Sequence, residues 1–311
     1  MNFPIFFDSK NTLNLFGMND NFRFLTNLYI DQKLPRVLML SGHKGSGKST
    51  LINHFLYSIF DKSNYDKKEK KLVENSNFLK QVKNEIFSNI IHLSGSDFKT
   101  VKIDDVRNLK KKIYQSSISN QDRFIILDDV ELFNRSSLNA LLKIIEEPTN
   151  NTYFLLINNK SKPLLETVKS RALEVKIILN ENQRIEIIKD LTNYFKLELV
   201  LDPVSSFLSP GNFVKFNHIC KEFEVLPAND FIKNLSILLS LYRKYKDILF
   251  INLVFFIVDY YLYELKRENK LRNERIYEIK NFIFDNLNNF LIYNINQNSI
   301  INAVNSKINH E

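Results

Sequence analysis

Two clusters of residues in this 311-residue sequence carry chemistry. The first is Gly42-His43-Lys44-Gly45-Ser46-Gly47-Lys48-Ser49-Thr50, a G-x-x-x-x-G-K-S spacing that follows an apolar run and opens a stretch with helical periodicity. Gly42, Gly45 and Gly47 let the backbone curl so that consecutive N–H groups face inward, and the helix behind them adds its positive end, making a nest for phosphate. Lys48 would reach the outer phosphates and the Ser49 hydroxyl would help hold Mg²⁺, with Thr50 beside them among the nucleotide-binding residues. Of the 6 glycines in the chain, Gly42, Gly45 and Gly47 fall in this one loop, a concentration that an ordinary turn does not explain. The expected ligand is ATP with Mg²⁺.

The second cluster closes "RFIILDD", where four apolar residues lead into Asp128 and Asp129. Asp128 is placed as the outer-sphere Mg²⁺ ligand. Asp129 occupies the position from which a carboxylate would orient an attacking water, and it is one methylene shorter than the Glu commonly found there, which weakens it as a base. The alternative, that both aspartates merely cap the turn that follows, stays open. Asn158, or its neighbour Asn159, ends another apolar run and is a candidate sensor of a γ-phosphate; a loop-capping role stands beside that one. Binding is therefore expected, with weak or absent hydrolysis.

These groups need a scaffold to bring them together, and the pattern between residues 37 and 179 supplies one. "VLMLS", "IIHLS", "FIILDD", "YFLLIN" and "LEVKIIL" read as strands, alternating with "KSTLINHFLYSIF", "IDDVRNLKKKIYQ" and "SLNALLKIIEE" at helical spacing. That alternation implies an α/β fold, a parallel sheet with helices on both faces. The Lys-rich segment Asp61 to Lys83 looks like an inserted surface excursion. After Asn180 the strands stop. Residues 180–226 are expected to form a small helical lid, with a turn at Ser209-Pro210-Gly211-Asn212, and 227–311 a separate all-α bundle.

Composition excludes several classes. A hydrophobic share of 44% is ample for real cores, so disorder is not the expectation. One cysteine, Cys220, rules out a disulfide framework or a four-cysteine metal site, and a core thiol is expected. The N-terminus lacks the features of an export signal. The most apolar window, Ile248 to Val258, stops at Asp259 and is too short to span a bilayer, so a cytoplasmic protein without a membrane partner is expected. The net charge of +8 permits a polyanion such as DNA, although a codon drift toward A and T would raise Lys by itself.

Beyond the phosphate loop, Leu138-Asn139-Ala140-Leu141-Leu142-Lys143, then Glu146-Glu147-Pro148 and Thr152-Tyr153-Phe154, resemble the signature of clamp-loader AAA+ subunits of bacteria. The same stretch reads physically as a helix with Leu138, Leu141, Leu142 and Ile145 on one face, ended by Pro148. Downstream, Ser170-Arg171 resembles that family's Ser-Arg-Cys motif, with Ala172 in place of the Cys. "KIDDVRNLKKKIYQSS" also matches the family layout. The resemblance covers roughly Leu15 to Ile178 and implies a P-loop AAA+ core at 1–179, the lid, and a C-terminal collar that holds an oligomer together.

What the resemblance implies for Arg171 is specific: it would cross a subunit boundary and stabilise the γ-phosphate of a neighbour, a task suited to a permanently charged fork. The implied partners are motor (gamma/tau) and clamp-opening (delta) subunits, the sliding clamp indirectly, and primed DNA. Three departures point away from a motor subunit. The excursion has no cysteine, so no zinc module is expected; Gly211 stands where the family's motor members carry a lid Arg; and Asp129 replaces Glu. A motor ATPase that has lost its zinc module remains the alternative, as does another AAA+ DNA-binding ATPase. A small-molecule kinase would leave the Leu138–Pro148 and Ser170-Arg171 matches unexplained.

Overall fold

The computed structural model describes residues 4, 7–95, 101–114, 121–149, 151–227, 229–268 and 272–309. Its residues group into two compact bodies: one runs through Phe195 and takes in Ser209–Asn212, and the other comprises Lys196–Leu208 and the chain from Phe213 onward. The residues expected to form a lid are divided between these bodies.

The first body is built on strands β1 Val37–Ser41, β4 Ile90–Ser94, β5 Arg123–Asp128, β6 Thr152–Asn158 and β7 Leu173–Lys176. They form one sheet in the order β4-β5-β6-β1-β7, with every pairing parallel. Side chains alternate across it as a period of two requires. Leu38, Leu40, Phe124, Ile126, Leu155 and Ile157 pack on one face with helices α1 Asn19–Ile30 and α2 Lys48–Phe60. Val37, Met39, Ile125, Leu127, Phe154 and Leu156 pack on the other with α4 Ile103–Tyr114 and α5 Arg135–Glu146. Burial on both faces is what makes the central strands β1, β5 and β6 continuous apolar runs, whereas the edge strands β4 and β7 are partly exposed. The fold expected from the sequence is the fold observed. Of the "KIDDVRNLKKKIYQSS" stretch, residues 115–117 lie outside the described residues.

The segment Asp61 to Lys83 departs from expectation. It forms a small hairpin, β2 Tyr65–Asp66 with β3 Lys71–Leu72, followed by helix α3 Asn77–Lys83. Tyr65, Leu72, Phe78, Leu79 and Val82 are buried in the core beneath α2. Single apolar residues spaced among lysines are enough to anchor it, so it is core-bound rather than a surface excursion. His54 of α2 fastens the hairpin: its Nδ1 lies 3.1 Å from the Tyr65 hydroxyl and its Nε2 3.0 Å from the Thr12 carbonyl oxygen. A carbonyl only accepts, so Nε2 carries the proton and Nδ1 accepts from Tyr65.

Further along the chain this body adds the single turn α6 Glu166–Lys169 and the longer helix α7 Glu181–Tyr194. In a reciprocal arrangement Asn180 caps α7, accepting from the Gln183 N–H while the Gln183 side chain accepts from the Asn180 N–H. The Ser209–Asn212 turn expected from sequence is the start of helix α8 Pro210–Glu222, with Pro210 at the first position, where a missing N–H is harmless.

The second body is helical, with α9 Phe231–Tyr245, α10 Ile248–Arg267, α11 Asn273–Tyr293 and α12 Gln297–Asn309. Asp230 and Asp247 cap α9 and α10. The α10 helix runs past Asp259 to Arg267, and its length and apolar composition would by themselves suffice to cross a membrane. Here Phe250, Ile251, Leu253, Val254, Ile257, Val258 and Leu262 are buried, and α10 packs against α9 and α11 as a bundle core. Cys220 is fully buried, and that burial pushes its thiol up to about 12.

Candidate functional site

Strand β1 lies between β6 and β7, and its end delivers the chain to the phosphate loop. The Gly42 N–H donates to the Asn158 carbonyl at 3.1 Å, which ties the loop to the end of β6. Gly45 and Gly47 take φ of 82° and 93°, the left-handed region that side chains resist. Gly47 then begins α2 with no side-chain cap, leaving the first-turn N–H groups to an anion. Lys48 is only 2% exposed. Its Nζ donates to the Gly42 and His43 carbonyls at 2.8 and 2.7 Å and to Ser46 Oγ at 3.4 Å. Burial lowers Lys48 to about 8, against the pull of Asp128, Glu131 and Asp129.

The acidic pair stands at the end of β5, beside the start of α2. The Ser49 hydroxyl donates to Asp128 Oδ2 at 3.3 Å, and the Asp129 N–H donates to Asp128 Oδ1 at 2.9 Å. Burial, reinforced by the Asp129 charge, pushes Asp128 up to about 6, while those two hydrogen bonds and Lys44 pull it down. Asp129 has φ 51° and is nearly buried. Asn159 Nδ2 donates to its Oδ1 at 2.6 Å, and Lys44 Nζ stands 3.6 Å from its Oδ2. The Asp129 carboxylate is thus held from both sides.

Of the two asparagines, Asn159 is the one whose side chain meets an acid of the site. The Asn158 Oδ1 accepts from the Lys160 N–H at 2.9 Å, closing the turn after β6. Sequence reasoning overlooked Glu131, which is 5% exposed. Its carboxylate accepts from the Asn159 N–H at 3.1 and 3.2 Å, the Ser161 N–H at 3.3 Å and the Ser161 hydroxyl at 2.8 Å. It therefore fixes the loop that aims Asn159 at Asp129. The available signal was an acid between two apolar residues, Val130 and Leu132, directly after the aspartates.

Gly211 lies against the phosphate loop. Its N–H donates to the Gly45 carbonyl at 2.8 Å, and the Ser209 hydroxyl donates to the Lys44 carbonyl at 2.6 Å. A Cβ on Gly211 would stand 3.0 Å from that Gly45 oxygen. The absence of a side chain is what permits this approach.

Arg171 belongs to a different part of the surface. It follows α6 in the turn before β7, and its side chain is 39% exposed. The guanidinium is engaged by Glu146, the Thr167 carbonyl and the Ser170 hydroxyl, and by none of the phosphate-loop residues. The structure brings Gly42, Gly45, Gly47, Lys48, Ser49, Asp128, Asp129 and the end of β6 together, with Thr50 partly exposed one residue along α2. It leaves Arg171 outward. The uncapped helix, the buried Lys48 and the Ser49–Asp128 pair fit a nucleotide phosphate with Mg²⁺.

A family model described as "DNA polymerase III, delta subunit" matches residues 17–181, more than half of the chain. The chain belongs to this family. Similar proteins include delta prime subunits and, at 26% identity over 158 residues, the gamma subunit of Buchnera aphidicola subsp. Acyrthosiphon pisum. The chain is 29% identical over 140 residues to the delta prime subunit of Buchnera aphidicola subsp. Baizongia pistaciae, spanning 44% of this chain and 42% of the relative. It is 37% identical over 79 residues to that of Haemophilus influenzae, spanning 25% of this chain and 24% of the relative. The chain thus matches less than half the length of these relatives. A solved structure of a DNA polymerase III gamma subunit-related protein from Thermotoga maritima superposes with a TM-score of 0.51 at 17% identity, covering 92% of this chain and 98% of that one. At that identity the likeness concerns the fold alone.

Proposed function

We propose that this chain works in the cytoplasm as a delta prime clamp-loader subunit, assembling with motor (gamma/tau) and delta subunits to place a sliding clamp on primed DNA. Within such a ring, Arg171 is the group it contributes to catalysis, stabilising the γ-phosphate of ATP bound by the adjacent motor subunit. The observation that carries this reading is the position of Arg171: half-exposed at a turn, away from its own phosphate loop, and held by side-chain and main-chain groups of modest strength. A guanidinium so placed has no task in its own pocket. Its planar fork suits phosphate oxygens presented by another chain.

The chain's own pocket has the parts to hold ATP: the loop N–H groups and Lys48 for phosphate, with Ser49 and Asp128 toward Mg²⁺. A bound Mg²⁺ would neutralise phosphate charge there. Turnover at this pocket is low because Asp129 is short and is tied to Asn159 and Lys44. The helices from α9 to α12 serve as the collar, and surface Lys and Arg follow DNA phosphates. The complete phosphate loop favours a second reading, a motor subunit in its own right; hydrolysis by the isolated chain that disappears in K48A would establish that reading instead.

The test is reconstitution. Clamp loading on primed DNA is measured with motor and delta subunits, with and without this chain, alongside sedimentation of the mixture. Assembly into one particle and loading that depends on the chain are expected; no particle, or loading that proceeds without it, refutes the proposal.

A further inference from the structure

The geometry joins two motifs that the sequence leaves apart, Glu146 of the "EEP" stretch and Arg171 of "SR", and we propose that Glu146 is a positioning residue that stores Arg171 on its own subunit until a neighbour's nucleotide phosphate displaces the carboxylate. This rests on the reading of Arg171 as a trans-acting group, and it adds the control on that group.

Glu146 is the last residue of α5, a helix fixed by the buried side chains Leu138, Leu141, Ile144 and Ile145. Its carboxylate is therefore presented from a rigid mount. Arg171 is fixed equally well at its base: Val168 of α6 is fully buried and the Arg171 N–H donates to the Val168 carbonyl at 3.2 Å. Between these mounts the guanidinium folds back. Its Nε and one terminal nitrogen both reach Glu146 Oε1, at 2.7 and 2.6 Å. The other terminal nitrogen donates to the Thr167 carbonyl at 2.9 Å and to Ser170 Oγ at 3.4 Å.

The arrangement occupies the edge of the fork that a phosphate would need. Two N–H groups side by side are what a bidentate contact to phosphate uses, and here both are spent on one carboxylate oxygen. Yet the side chains are 39% and 45% exposed, so water screens the attraction and the pair is easily parted. A single carboxylate charge loses to the greater charge of a γ-phosphate. The contact is thus strong enough to set a resting orientation and weak enough to be released. It also keeps a mobile cation from finding other anions before a neighbour is in place.

The experiment uses the reconstituted clamp-loader ring carrying wild-type chain, E146Q, E146D, R171A or E146Q/R171A, and measures DNA- and clamp-stimulated ATP turnover as separate kcat and KM. Because the pair shifts a population, E146Q is expected to raise kcat by about two- to fivefold, the equilibrium worth of an exposed ion pair. KM for ATP should barely move, E146D should resemble wild type, and E146Q/R171A should be indistinguishable from R171A. Thermal melting of each chain checks that Glu146 variants fold. If R171A lowers turnover while E146Q leaves kcat unchanged or lowers it, storage is overturned and the trans role of Arg171 stands. An E146Q gain that persists in E146Q/R171A also overturns storage, because the effect then bypasses Arg171. If R171A has no effect, the trans reading itself fails, and the storage proposal with it.

Discussion

Replacing Asp128 by Asn is expected to stabilise the sheet-containing body at neutral pH, although it damages the site. The carboxyl is held at the end of β5 with its value pushed from 3.8 to about 6 by burial and by the Asp129 charge. The folded protein therefore holds a proton between these values that the unfolded chain has released. Stability contributed by the protonated form is present below 3.8 and is lost as pH rises through about 6. At roughly 1.4 kcal/mol per pH unit, the ionised group costs up to about 3 kcal/mol at pH 7, an upper bound because solvent reaches the partly exposed carboxylate. D128N removes the charge and keeps the shape. Its oxygen still accepts from the Asp129 N–H, and its amide nitrogen donates to the Ser49 hydroxyl, reversing the direction of that bond. Native-state hydrogen exchange at the β5 amides of Ile125 to Leu127 reads the local stability without involving the helical body. Slower exchange in D128N at pH 7.5, with the advantage shrinking toward pH 4, is expected. Faster exchange at pH 7.5, or a difference independent of pH, would refute the argument that burial and like charge dominate at this carboxyl.

Two further outcomes follow from the same geometry. Gly45→Ala places a Cβ 2.4 Å from Ser209 Oγ at a residue with φ 82°, so it should lower the melting temperature and weaken Mg-ATP binding in calorimetry. The backbone conformation alone costs about 1 kcal/mol or more, and a variant that melts and binds as wild type would contradict the closeness of the Ser209–Asn212 segment to the loop. For His54, burial lowers the imidazole from 6.5 to about 4, so neutral imidazole favours the fold; stability is complete above 6.5 and is lost as pH falls toward 4. The loss amounts to about 3 kcal/mol, and urea midpoints that stay level between pH 7 and 4.5 would count against burial as the dominant influence on this imidazole.

The sheet was legible because its central strands are buried on both faces and so appear as unbroken apolar runs, from "VLMLS" to "YFLLIN". The phosphate loop was legible because its chemistry depends on residues adjacent in sequence. What escaped depends on contacts between distant residues. Tyr65, Leu72 and Phe78 are single apolar positions among lysines, and only the surface beneath α2 gives them a common core. Glu131 reads as one more acid until Asn159 and Ser161 fold onto it. The pairing of Glu146 with Arg171 spans 25 positions and carries no periodic signal. In sequence Ser209-Pro210-Gly211 reads as a turn because proline and glycine mark turns and helix starts alike; in the structure Pro210 begins α8, and Ser209 and Gly211 contact Lys44 and Gly45.

Arg171 is proposed to act on a neighbour's nucleotide. Single-turnover ATP hydrolysis at the adjacent motor subunit, in rings shown by sedimentation to be complete, tests this role most directly with wild-type, R171A and R171K chains. R171A is expected to slow the step at that site by about 10³-fold or more, and R171K to leave it slow, because an ammonium lacks the planar fork. Hydrolysis at that site proceeding at the wild-type rate in R171A rings would contradict that role.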